Sequence, residues 1–255
     1  HYDVVFFIAT ARSERFCQYA RDIAGTQLAV GVHALSAMQR MRHRPLLKAL
    51  DGSISATPSE HFDHISDFYR HHFARLVDMP APKLAYQQLH VPEPYLNAAH
   101  SQHNNRNMVF INHLSTTDKR DWRLTQVVDC IRSIHQRHPE IHFLVNAPAE
   151  HLEALQTQLH NTDLRDVSIS TFSAKSHFYE LPAMISQARL VISVETAIMH
   201  IAASLNVPAI ALIREKAKHW RPLGPGVVLI GGKRVDSINA DEVANKALDL
   251  LANTR

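Results

Sequence analysis

The chain is predicted to be an α/β protein built on a doubly wound parallel sheet, and three observations carry that reading. Two short apolar, β-branched runs, Leu190 to Val194 and Val207 to Ile213, have the composition of strands covered on both faces. One short helix fits between them as a crossover. From Met108 onward similar runs recur with helical stretches between most of them, the alternation that yields a parallel sheet flanked by helices.

Taken in order, Val4 to Ile8 reads as a strand, Phe16 to Ile23 as a helix and Leu28 to Val32 as a second strand. The stretch that follows reads mostly as helix, with His61 to Leu76 the clearest part. Residues 91 to 107 are polar, hold two prolines and carry Asn/His clusters, so an amino-terminal α/β domain is expected over 1–95 and a linker over 96–107. The carboxy-terminal domain, 108–255, then has strands at 108–113, 141–146, 166–171, 189–194, 207–213 and 227–231 and a closing helix from Val243 to Leu251.

Composition narrows the function classes. A chain of 255 residues can bury the core of one large domain or two modest ones. Its 7% aromatic content and seven glycines suit neither a propeller nor a collagen-like or disordered chain. No apolar run approaches the roughly eighteen residues of a membrane span, and no charged-then-apolar leader opens the chain. Cys17 and Cys130 lie far apart in predicted helices, which suits reduced thiols in a cytoplasmic protein. A formal net charge of +3 does not argue for nucleic acid as a partner. The densest basic segment, Arg40, Arg42, His43, Arg44 and Lys48 with Met and Leu interleaved, fits an anionic acceptor or a membrane surface, and equally a solvated helix face. Nineteen histidines raise the question of a metal, but the pairs His61/His64, His71/His72, His100/His103 and His135/His138 lack i,i+4 spacing beside a glutamate or a companion cysteine, so no metal is expected.

Candidate binding groups stand at predicted strand ends. Thr196 is placed to cap the helix after Val194, and the free N–H groups behind it, with the helix dipole, suit an anion such as a diphosphate. Glu195 would repel that anion and is expected to face sugar hydroxyls beside it. Ile198, Ile201, Ala202 and Leu205 form the core stripe of this helix, whereas Thr196, His200 and Ala203 share a stripe that can look into a cleft. Ser115 and Thr116 offer hydroxyls, and Lys119 a mobile charge, to phosphate oxygens. Glu150 offers a carboxylate that can accept two hydrogen bonds from a ribose diol. Plain alternatives stand beside each of these: a helix cap, a solvated loop, and the preference of glutamate for a helix's first turn. What favours binding is that all three segments lie beyond the carboxyl ends of strands, where open α/β sheets take their ligands.

Residues Val194-Glu195-Thr196-Ala197-Ile198-Met199-His200-Ile201-Ala202-Ala203-Ser204-Leu205-Asn206-Val207-Pro208 resemble the strand-to-helix signature of the lipopolysaccharide heptosyltransferases, glycosyltransferase family 9, which usually runs V-D-T-G-x-x-H-L-A-A-A-L-x-x-P. Aspartate has become Glu195 and glycine has become Ala197. Met108 to His113 and the loop Leu114 to Trp122 are similar to a family strand followed by small hydroxyl residues and a lysine before a tryptophan. Ile141 to His151 is similar to the strand, turn and helix start whose glutamate holds the nucleotide ribose. The resemblance implies two Rossmann-like domains of the GT-B glycosyltransferase type, with the amino-terminal domain incomplete and the usual catalytic base upstream of His1. It further implies inverting transfer of a sugar from a nucleotide-diphosphate donor, usually ADP-heptose, to lipopolysaccharide inner core, without a metal or other cofactor. Donor contacts are implied at Ser115, Thr116, Lys119, Glu150, Glu195, Thr196, Ala197 and His200. A cytoplasmic location with peripheral contact to the inner membrane goes with that role. Two other readings stay open. The changes at Glu195 and Ala197, and Arg214 to His219 where the family has glycine-proline-threonine-aspartate, suit a transferase of the same build with another sugar; a base outside the chain suits a non-catalytic nucleotide-binding or assembly protein.

Overall fold

The computed structural model describes residues 4–8, 14–25, 28–34, 50–56, 62–81, 88–102 and 107–253. The chain divides into two compact units, His1–Ala85 and Tyr86–Arg255.

In the first unit β1 (Val4–Ile8), β2 (Leu28–Ala34) and β3 (Gly52–Ala56) form a parallel sheet in that order, with α1 (Glu14–Ala24) and α2 (Ile65–Leu76). Helix α2 starts where the His64 side chain accepts the Ser66 N–H at 3.1 Å, and it buries Ile65, Phe68 and Tyr69 at helical spacing. Strand β3 departs from the helix expected in this stretch. Its sequence, GSISA, has a single large apolar residue, and pairing with β2 rather than a hydrophobic run defines it. The basic segment around Arg40 to Lys48 lies outside the described residues.

The second unit holds a six-stranded, all-parallel sheet in the order β6-β5-β4-β7-β8-β9. Its strands are β4 (Met108–Asn112), β5 (His142–Asn146), β6 (Ile169–Phe172), β7 (Leu190–Val194), β8 (Ala209–Arg214) and β9 (Gly226–Gly231). The helices are α3 (Glu93–Gln102), α4 (Leu124–His135), α5 (Ala149–His160), α6 (Glu180–Ser186), α7 (Ala197–Ser204) and α8 (Ala240–Asn253). Alternation within each strand feeds two cores. Val109 and Ile111 of β4 join Phe143, Val145, Ile192 and Leu212 in the layer completed by α4, α5 and α8. Met108 and Phe110 join Leu144 and Val191 in the layer completed by α3, α6 and α7. Gly226 opens β9 at φ +125°, where a Cβ would stand 1.9 Å from the Ala209 carbonyl oxygen, so only glycine lets β9 start this close to β8.

The boundary between units falls earlier than composition suggested, and residues 96–102 of the expected linker are helix. Pro92 and Pro94 stand immediately before and within the first turn of α3, where a missing N–H breaks no helical bond. Ala99 is buried, and Tyr95 and Leu96 pack on the second core layer.

Strands β4, β5 and β6 proceed outward in one direction, and β7, β8 and β9 in the other. The reversal lies between β4 and β7. Their outgoing connections lead to helices in opposite layers, α4 and α7, which opens a crevice at the carboxyl end of this strand pair.

Candidate functional site

Parallel pairing puts the last polar residues of three strands side by side at that crevice. Asn112 is in register with Asn146 on one side and Ser193 on the other. All three are buried, so their polar atoms need partners within the protein. Asn146 Nδ2 donates to Asn112 Oδ1 at 2.9 Å, while Asn112 Nδ2 donates toward the Leu114 carbonyl at 3.2 Å, Thr196 Oγ1 at 3.2 Å and Ser193 Oγ at 3.4 Å. Ser193 Oγ donates to the Val194 carbonyl at 2.9 Å, which leaves Thr196 as the donor in the 3.3 Å contact between the two hydroxyls.

Thr196 caps α7 as expected, its Oγ1 accepting the Ile198 N–H at 3.3 Å from an extended backbone. With its hydroxyl thus occupied, Thr196 holds the strand-to-helix junction in place. Helix geometry leaves the N–H groups of Ala197 and Met199 without an intrahelical acceptor at the positive end of the helix dipole. The Ala197 side chain is exposed, and His200 is half-buried one turn further on.

The segment after β4 is a closed loop. At its base the Trp122 N–H donates to the His113 carbonyl at 2.9 Å, and His113 Nδ1 lies 3.0 Å from the Trp122 carbonyl. Burial holds the His113 pKa below its ordinary value, so the imidazole is neutral and Nδ1 carries the hydrogen this contact requires. The buried Trp122 indole donates to the Ile238 carbonyl at 3.1 Å. Inside the loop Asp121 accepts the Ser115 N–H at 2.6 Å; Ser115 Oγ accepts from the Thr117 N–H and donates to the Thr117 carbonyl. Arg120 hydrogen-bonds the hydroxyls of Thr116 and Thr117. Arg234 pins the loop from outside, bridging Asp118 at 3.1 Å and Asp236 at 3.1 Å. The Ser115 and Thr116 hydroxyls expected for phosphate therefore shape the loop, and the exposed Lys119 makes no ion pair among the described residues.

Glu195 has a partner on the neighbouring strand. Arg214, the last residue of β8, donates from Nε to Oε2 at 2.9 Å, from Nη2 to Oε1 at 2.6 Å and from its backbone N–H to Oε2 at 3.3 Å. Three of roughly four lone-pair positions of the carboxylate are thus taken within the protein. The side chains are only 14% and 9% exposed. Burial alone would raise the Glu195 pKa, but the hydrogen bonds and charge of Arg214, with a further contribution from Arg120, outweigh it and hold the carboxyl below its ordinary range. Glu150, by contrast, stands exposed in the first turn of α5 and makes no hydrogen bond or ion pair among the described residues.

The structure thus brings Thr196, Ala197 and Glu195 together at the crevice, with the Ser115 to Arg120 loop facing Glu195 through Arg120, and puts Glu150 at the carboxyl end of β5 on the same edge. Asn112, Asn146, Ser193 and Arg120 complete the arrangement without having been foreseen, and Arg214, noted in the sequence only as a departure from the family stretch, pairs with Glu195. A cleft of about 740 Å3 lined by Tyr95, Leu152, Thr171, Phe172 and Lys175 opens at β6 and contains none of the expected residues. Among the described residues no three His, Cys, Asp or Glu side chains converge to hold a metal ion. Cys130 is buried, and burial pushes its thiol pKa up to about 12, far from reactivity.

Comparison with known proteins agrees with this architecture. The family described as glycosyltransferase family 9 (heptosyltransferase) matches residues 39–247. ADP-heptose LPS heptosyltransferase II of E. coli superposes with a TM-score of 0.73 at 18% identity, over 99% of this chain and 77% of its own. A family 9 glycosyltransferase from Veillonella parvula gives 0.73 at 15% identity over 97% and 74%, and the E. coli heptosyltransferase WaaC, solved with ADP, gives 0.70 at 15% over 98% and 73%. Among curated proteins none matches this chain.

Proposed function

Because the chain belongs to glycosyltransferase family 9, and is a glycosyltransferase with the GT-B type of fold, we propose that it transfers a sugar from a nucleotide-diphosphate donor, of the ADP-heptose kind, to the inner core of lipopolysaccharide. The observation that carries the donor half is the capped end of α7 at the sheet's reversal point, whose first-turn N–H groups have no intrahelical acceptor, with Arg120 and Lys119 on the loop after β4. That arrangement suits the two phosphates. Charge grows on the leaving diphosphate during transfer, and preorganised dipoles and cations stabilise it without a metal. In this reading Lys119 contacts the diphosphate, Glu150 accepts the ribose hydroxyls, and Ala197 and His200 border the donor, while Ser115 and Thr116 keep the phosphate loop in shape. ADP bound to WaaC supports the choice of nucleotide. The acceptor and a place at the cytoplasmic face of the inner membrane follow from the family alone; among the described residues no helix is long and apolar enough to cross a membrane.

One observation favours a second reading, a transferase of the same build using another sugar. Glu195, which stands where the family carries an aspartate, is taken up by Arg214, so the sugar meets an ion pair rather than an open carboxylate.

The test is calorimetry with ADP and other nucleoside diphosphates, followed by ADP release from a panel of ADP-sugars in the presence of inner-core acceptor. Lys119→Ala is expected to weaken ADP binding about ten- to a hundredfold while leaving adenosine binding unchanged, since hydrogen bonds to charged groups contribute roughly 1.5–3 kcal/mol. Equal affinity for ADP in both proteins would remove Lys119 from the site, and no nucleotide binding at all would overturn the proposal.

A further inference from the structure

A carboxylate beside an anion-binding helix end raises an electrostatic problem, because Glu195 directly precedes the cap of α7. Unpaired, it would face the diphosphate with like charge in a partly dry crevice, where such repulsion is stronger than in water. Arg214 answers that problem from the neighbouring strand. Its guanidinium lies flat against both carboxylate oxygens, a forked geometry that lysine cannot reproduce. Among the described residues Arg120 of the facing loop adds a weaker attraction to Glu195. Arg120 is itself held by two threonine hydroxyls, so it does not replace Arg214.

We infer that Arg214 is a positioning residue for the donor: by neutralising and turning aside Glu195, it makes the α7 end receptive to a nucleoside diphosphate. This rests on the donor reading of the same edge and deepens it. Arg214 acts through Glu195, which sets it apart from Lys119 as a direct ligand. Removing both members of the pair should therefore do less harm than removing the arginine alone.

The experiment measures ADP affinity by calorimetry, with a thermal melt in parallel, for the intact chain, Arg214→Met, Arg214→Lys and the double variant Arg214→Met/Glu195→Gln. Arg214→Met should lose about tenfold in ADP affinity or more. The double variant, a neutral pair of similar volume that avoids a buried lone charge, should recover most of that loss. Arg214→Lys should fall between, since it keeps the charge and loses the fork. A pH series supplies a readout that packing alone does not move. As pH falls from 7 to 5, Glu195 in Arg214→Met takes up a proton and the affinity gap to the intact chain narrows, whereas the double variant shows no such narrowing. If Arg214→Met binds ADP like the intact chain, or the double variant is as weak as the single one with its melt preserved, the role of Arg214 is overturned and the donor reading stands. A Lys variant as weak as the Met variant would likewise mean that fit, not charge, is at work. If the intact chain binds no nucleoside diphosphate, the donor reading itself fails.

Discussion

Glu195 and Glu150 stand beyond the carboxyl ends of two strands of one sheet, yet their surroundings differ. Glu195 follows β7, is nearly enclosed, and gives both oxygens to Arg214. Glu150 follows β5, is exposed, and keeps its lone pairs for water or a ligand. Residue type is the same in both cases, but Glu195 directly follows its strand and Glu150 stands four residues past the end of β5, in the first turn of α5. They differ also in the neighbouring strand: β7 has β8 beside it, ending in an arginine, whereas β5 has β6 beside it, ending in Phe172. The carboxylate paired within the protein and the one left exposed thus differ in lateral pairing, not only in the motif each belongs to.

The sharpest way to break this contrast is to remove each carboxylate and compare folding stability. Glu195→Ala leaves the Arg214 guanidinium nearly enclosed without its anion and is expected to cost about 2–3 kcal/mol in a denaturant titration, toward the low end for a broken pair because the edge is close to water. A cost below about 0.5 kcal/mol, the value of an exposed pair, would show that Glu195 belongs in the same class as Glu150. Glu150→Ala should reverse the pattern, with stability unchanged and ADP affinity lowered about tenfold, equivalent to roughly 1.4 kcal/mol. Loss of stability, or unchanged affinity, would remove its assignment to the ribose.

The smallest expected effect lies in the acid limb of stability. The carboxyl of Glu195 is held below its ordinary value near 4.5, so the folded state releases its proton more readily than the unfolded chain. Its contribution is fully present above pH 4.5 and is lost as pH falls through the lower folded value. Glu195→Gln should flatten that part of the profile, and Glu150→Gln should leave it as it is. Stability curves measured between pH 3 and 7 compare the two directly.

Much of this site was legible because the strands of the second unit are apolar runs and because Thr196 carries a cap signal at the start of a helical pattern. The polar network at the crevice was harder to see. Asn112 and Asn146 each close an apolar strand, a signal that is visible, but that they are neighbours depends on register across β4 and β5, which no local window contains. Arg214 and Glu195 are nineteen residues apart and meet only because β7 and β8 pair in parallel. Strand β3 lacked the hydrophobic run by which strands are recognised, and α3 was obscured by prolines that belong to its first turn.

The reversal of strand order between β4 and β7 makes the crevice a product of chain winding rather than of side chains. It is present because one connection leaves toward α4 and the next toward α7. The polar groups at its rim come instead from a few residues at strand ends and in short loops, above the apolar layers. Architecture and local charge are thereby separable: the Glu195–Arg214 pair sits at the rim of the crevice, outside the apolar layers that hold the sheet together.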